Sequence, residues 1–193
     1  MSRFVIATLA LSLFTLSATP ARADALKDLE KTPLVRALTD ELKRSMSLHL
    51  PGMSSPYYIS YTVLDAEQLS VLGEFGGTVL AQHRRARMLT TDLRVGNYKN
   101  DNTNFLGQGG GGNAPLAVDD DYDALRRQIW LATDQAYKGA AESMEQKRAA
   151  MADKKGEADA VDDFSKVKPT RLCLSPAPAL PAAAASRALV RKL

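Results

Sequence analysis

The sequence predicts an α+β domain: an antiparallel meander of three or four strands packed against two amphipathic helices, with a disordered C-terminal tail. Three observations carry this. Apolar residues recur at spacings of three and four over residues 34–46 and again over 125–144. Between these stretches the period falls to two. The period-two runs follow one another through short turns, which suits antiparallel neighbours and not βαβ units.

The first helix opens at Thr32-Pro33, where threonine can cap and proline fits the first helical position without losing a needed N–H. Leu34, Val35, Leu38, Leu42 and Met46 form its apolar side, and Asp40, Glu41, Lys43 and Arg44 are expected to face solvent. It should end near Leu48, before Pro51-Gly52 forces a turn. Residues 57–64 (YYISYTVL) then alternate, placing Tyr57, Ile59, Tyr61 and Val63 together. Asp65-Ala66 reads as a turn, residues 68–75 as a second strand with Leu69, Val71 and Phe75 on one side, and Gly76-Gly77 as a hairpin with positive φ. Residues 78–82 continue as a strand. His83-Arg84-Arg85 interrupts it, and residues 88–95 resume with Leu89, Thr91, Leu93 and Val95 on a common side.

Residues 94–113 (RVGNYKNDNTNFLGQGGGGN) combine oxygen-bearing side chains with glycine. The long helix follows Asp119-Asp120-Asp121, which can cap it and complement its dipole. Its stripe is Leu125, Ile129, Ala132, Ala136, Ala140 and Met144, with Thr133 at the edge and Trp130 and Tyr137 flanking. Arg126, Arg127, Lys138, Glu145 and Lys147 are expected on the exposed side.

Three segments follow from this pass. Residues 1–23 read as a secretory signal peptide: Arg3 begins it, residues 4–16 are apolar but too short to span a bilayer, and Ala21-Arg22-Ala23 is an A-x-A cleavage site. Residues 24–153 make the domain, and 154–193 a charged linker and a low-complexity tail of Ala, Pro, Leu and Arg. Export, to the periplasm or beyond, is thus expected. About 170 mature residues suffice for one core. The formal net charge of +3 comes from 25 Lys and Arg interspersed with 22 Asp and Glu, with no basic stripe interleaved with aromatics, which argues against nucleic acid. Cys173 is the lone cysteine, so the core relies on burial and not on disulfides.

No stretch carries a convincing catalytic or metal constellation. Asn97, Asn100, Asp101, Asn102 and Asn104 are hard oxygen donors, but with one carboxylate and no bidentate Glu they suit turns better than calcium. Residues 109–112, four glycines, lack the lysine and the adjoining helix start of a phosphate loop and read as a flexible linker. Asp119, Asp120, Asp121 and Asp123 read as caps. His49 and His83 stand apart from each other, and no G-x-S-x-G elbow is present. The basic run at residues 83–87 suits a solvated strand edge, or else an acidic partner or lipid headgroups.

The stretches PYYISYTV, RVGNYKNDNTNF and DDDYDALRRQIWLATDQAYKGAAESMEQKRA resemble the N-terminal region of exported TldD/PmbA-type, metallopeptidase-related proteins over about residues 26–168. That resemblance implies a helix-plus-sheet domain in a scaffolding or substrate-channel role. Its partners would be a further C-terminal domain or a second subunit of the same type, with peptide as substrate. Family members continue for several hundred residues, so the Ala/Pro-rich tail suggests truncation or a frameshift. The zinc of catalytic relatives is held by H-E-x-x-x-H, which this chain lacks, so no catalytic, cofactor or metal residue transfers to it. A self-sufficient periplasmic binding or assembly module is the alternative, and a small exported hydrolase a third.

Overall fold

The computed structural model describes residues 27–75, 77–105, 111–152 and 161–170, with positions 172, 180, 187 and 188. The expected signal peptide, Cys173 and most of the tail lie outside these residues. The architecture is α+β: helix α1 (Pro33–Ser45), strands β1 (Pro56–Glu74), β2 (Gly77–Val95) and β3 (Gly111–Leu116), and helix α2 (Tyr122–Ala152). The sheet is an antiparallel meander in the order β1-β2-β3.

Helix α1 starts where Thr32 caps it, its hydroxyl accepting from Val35 N at 3.4 Å, with Pro33 in the first turn. It ends at Ser45, three residues before the expected Leu48, and Gly52 makes the following turn at φ +79°. The buried stripe differs from the expected one. Ala37, Glu41 and Ser45 are fully buried, and Met46 is exposed. Small residues allow α1 to approach closely, and Glu41 tolerates burial because Arg44 Nε donates to it at 2.6 Å and Arg126 at 3.3 Å. Tyr122 of α2 adds a bond to Asp40 at 2.7 Å.

The four expected strand segments merge into two strands of 19 residues, roughly 60 Å each at about 3.3 Å per residue. Neither the turn at Asp65-Ala66 nor the break at His83-Arg84-Arg85 exists, because each lies opposite the other. Asp65 pairs with Arg87 and Glu67 with Arg85 in the ladder. Arg85 grips Asp65 with two bonds of 3.0 and 2.7 Å, Arg87 binds the same carboxylate at 2.7 Å, and His83 meets Glu67 at 2.7 Å. Acidic residues that look like a turn and basic residues that look like a break are cross-strand partners. Glu74 faces Gly77 in the ladder, so Gly77 already belongs to β2 and the chain leaves β1 before Phe75, earlier than the expected hairpin.

The glycine stretch differs from the expected slack as well. Gly111 and Gly112 begin β3, which pairs with Arg87 to Asp92 of β2. Asp121 caps α2 by accepting from Ala124 N at 2.7 Å. Leu125, Ile129, Ala136, Ala140 and Met144 are buried as expected, and so are Thr133 and Tyr137. Together with Ile59, Leu89, Leu93 and Val95 they form two adjoining clusters under the helices. Burial is confined to one half of the hairpin: among the described residues none from Leu64 to Ala86 is buried. The other half is a two-stranded arm.

Arg85 and then Arg87 hold the Asp65 carboxyl down to about 2, from 3.8. A carboxyl depressed in the fold stabilises above its unfolded value and loses that contribution as pH falls through the folded one. Asp65→Asn is therefore expected to be less stable than the wild type at neutral pH. That gap should close between about pH 4 and 2, as read by urea unfolding at successive pH values.

Candidate functional site

The oxygen-rich loop after β2 gathers a dense cluster of polar groups. Gly96 (φ +103°) turns the chain, and a Cβ there would meet Asn100 O at 2.5 Å, so only glycine fits. Asn97 accepts from Lys99 N and Asn100 N at 3.0 and 3.2 Å, the Asx turn expected of it. Asn102 Oδ1 accepts from Val95 N at 2.8 Å and so continues the edge of β2. Asp101 is fully buried. Its carboxylate accepts from Tyr57 Oη at 2.6 Å, from Thr103 N at 2.7 Å and from Thr103 Oγ1 at 2.6 Å. Burial, and then this carboxylate, push the Tyr57 phenol well above its ordinary range.

A cation does sit among these oxygens, but it is the protein's own. Lys147, expected on the exposed side of α2, is only 1 % exposed. Its Nζ donates to Asp101 O and Thr103 O at 2.9 Å each and to Asp163 Oδ2 at 2.5 Å. Three donors meet three oxygens, which satisfies the ammonium. Asp163 also accepts from Asp101 N at 2.8 Å, and Asn104 Nδ2 donates to it at 3.2 Å. Burial alone would raise the Asp163 carboxyl, but Lys147 and these donors bring it below the ordinary value.

Residues 161–164 thus fold back as a strap, although they fall in the expected linker. Phe164 N donates to Tyr98 O at 3.0 Å. The Phe164 ring stacks on Tyr98 at 5.9 Å and meets Tyr58 edge-on at 5.1 Å, with the Arg94 guanidinium 4.0 Å from its centroid. The cluster is a structural joint between sheet, helix and strap. Nothing in it is both nucleophilic and open.

The other sequence candidates do not converge. His49 meets Ser55 at 3.4 Å, while His83 lies on the arm. Asp120 pairs with the buried Arg87 at 2.9 Å, and Asp121 serves as the cap. Among the described residues no group of three or more His, Cys, Asp and Glu side chains could hold a metal ion, and no helix is long and apolar enough to cross a membrane.

The hairpin tip is the feature that packing does not explain. Phe75 lies in the turn with φ +49° and is fully exposed, at 106 %. Leu72 and Leu80 face each other in the ladder just behind it, both exposed, as are Val79 and, farther down, Leu64 and Met88. Sequence alternation placed Phe75 on one strand face with Leu69 and Val71, because it reads period and not what covers a strand. No protein-family model, curated protein or solved structure matches this chain.

Removing the Lys147 ammonium strands a mostly buried Asp163 and two loop carbonyls. Lys147→Met is expected to cost about 3 kcal/mol in urea unfolding, the lower end for breaking a buried pair.

Proposed function

We propose that this chain is the non-catalytic N-terminal scaffold or substrate-channel domain of an exported TldD/PmbA-like, metallopeptidase-related protein. It would work by presenting its hairpin arm to a further domain or to a second subunit of the same type. The observation that carries the reading is Phe75. A bulky side chain in a left-handed backbone conformation costs on the order of 1 kcal/mol, and here no packing offsets it. Strain kept without any gain to the fold suits a residue whose partner lies outside it. Leu72, Val79 and Leu80, close behind the tip, are exposed apolar residues as well.

The order of elements (helix, antiparallel sheet, oxygen-rich loop, long capped helix) agrees with the domain that the resemblance implies. Export follows from the signal-like residues 1–23. The role is one of binding and assembly, with zinc chemistry left to a domain carrying H-E-x-x-x-H. An autonomous periplasmic module is the second reading. The strap supports it, since Lys147, Asp163 and Phe164 close the polar end of the core without help from another chain.

Two measurements test the proposal. Phe75→Asn is expected to increase the stability of the fold by about 1 kcal/mol, because asparagine tolerates positive φ. A loss of stability would mean that the tip serves the fold. The genomic DNA beyond the codon for Lys168, read in every frame, is expected to encode a continuation with H-E-x-x-x-H. The absence of such a frame favours the autonomous module.

A further inference from the structure

Strand β3 is an edge without the usual protection. No strand lies beyond it among the described residues. At the opposite edge β1 carries Asp65, Glu67 and Glu74 and two register shifts, the devices that discourage strand addition. Strand β3 (GGNAPL) has no charge and pairs with β2 without a shift, and Gly111, Gly112 and Asn113 are exposed. Alternate residues of a strand turn N–H and C=O to the same side, and a strand proline is tolerated where its nitrogen faces outward. Pro115 therefore places Gly111 and Asn113 in the outward set, with their N–H groups and carbonyls turned away from β2.

Helix α2 leaves space beside this edge. A groove of about 110 Å³ separates Gly111, Gly112 and Ala114 from Ala132, Gln135 and Ala136. Thr91 is the cross-strand partner of Gly112 and so faces the helix side of the sheet. It is 2 % exposed, and its hydroxyl has no hydrogen-bond partner. A buried hydroxyl without a partner is costly.

We propose that this groove binds a polypeptide segment in extended conformation, which adds to β3 as a fourth strand and sets a small side chain against Gly112 and Ala136. The walls determine the occupant. A charged side chain would meet no counter-ion there, and a large one exceeds the volume. An apolar small molecule would leave the outward N–H groups unpaired. Gln135 at the rim can both donate to and accept from a passing backbone. Backbone pairing supplies the affinity and the shallow groove selects glycine, alanine or serine. The site lies beside Arg87 to Asp92 of β2, away from Phe75, and does not depend on the role proposed above.

The test is titration of the full chain into a fluorophore-labelled, end-capped octapeptide of alternating threonine and alanine. Saturable binding is expected. Ala132→Leu, which fills the groove, should weaken it at least about tenfold while leaving thermal unfolding unchanged. N-methylation of alternate peptide nitrogens should abolish binding in one register and spare it in the other. That result also stands if the variant folds poorly. No binding at millimolar peptide overturns the proposal. So does binding that both changes leave intact, which would be adhesion to exposed apolar surface elsewhere.

Discussion

The polar end of this molecule depends on one buried ammonium. Lys147 reaches from α2 into a loop whose carbonyls would otherwise point into a closed space, and it draws Asp163 in from the far side. A lysine is buried at a high desolvation cost, which is recovered only when its donors are matched and a carboxylate is close. Both conditions hold here. The consequence is architectural: the end of β2, the oxygen-rich loop, the long helix and the strap at residues 161–164 are fixed by the same three bonds. The aromatic layer of Tyr58, Tyr98 and Phe164, with Arg94 against it, can assemble only once the strap is held.

A second constraint divides the molecule in two. The hairpin strands are continuous over 19 residues each, but only the half nearer Val95 is covered by helices. An uncovered two-stranded ribbon is marginal in water. This one is reinforced at its root, where the buried Arg87 joins Asp65 of β1, Ala117 O and Asp120. Arg87 is thus the hinge point between core and arm, bonded to strand, connecting segment and helix start together. Beyond it the exposed ion pairs between Glu67 and His83 and between Asp65 and Arg85 keep the register, while solvent screens much of their energy.

How far the sequence discloses this follows from what periodicity measures. The helices, the core stripe of β2 and the α+β class are legible because each has a buried face of regular period: Leu89, Thr91, Leu93 and Val95 are buried as a set, and Leu125 to Met144 likewise. Several of the misread positions involve polar groups satisfied by partners elsewhere in the chain. Glu41 and Lys147 look solvent-facing because charge is usually solvated, yet Glu41 is met by Arg44 of its own helix and Arg126 of α2, and Lys147 by Asp163 of the strap. Asp65-Ala66 and His83-Arg84-Arg85 look like breaks because each segment alone disfavours a strand, and only their juxtaposition makes them compatible. Strand β3 hides among glycines because an edge strand beside a formed hairpin needs little propensity of its own. The oxygen-rich loop was legible as turn chemistry, but its true ligand was not, since nothing in RVGNYKNDNTNF names Lys147.

The two sheet edges then have opposite characters, and that difference is informative. Along β1 the chain spends acidic residues and irregular register on an edge that also forms the arm, so pairing there is discouraged while the tip stays apolar. Along β3 no side chain is charged and the first two residues are glycine, so the backbone is the larger part of what can be recognised. Such a surface discriminates among side chains by size and among conformations more strongly, because only an extended chain can match its spacing. The arm and the β3 edge lie at different distances from the Lys147 joint. The arm has no buried residue beyond Arg87, whereas β3 is seated on the same helix that carries Lys147. A perturbation of the joint should thus reach the β3 groove through α2 before it reaches the tip of the arm.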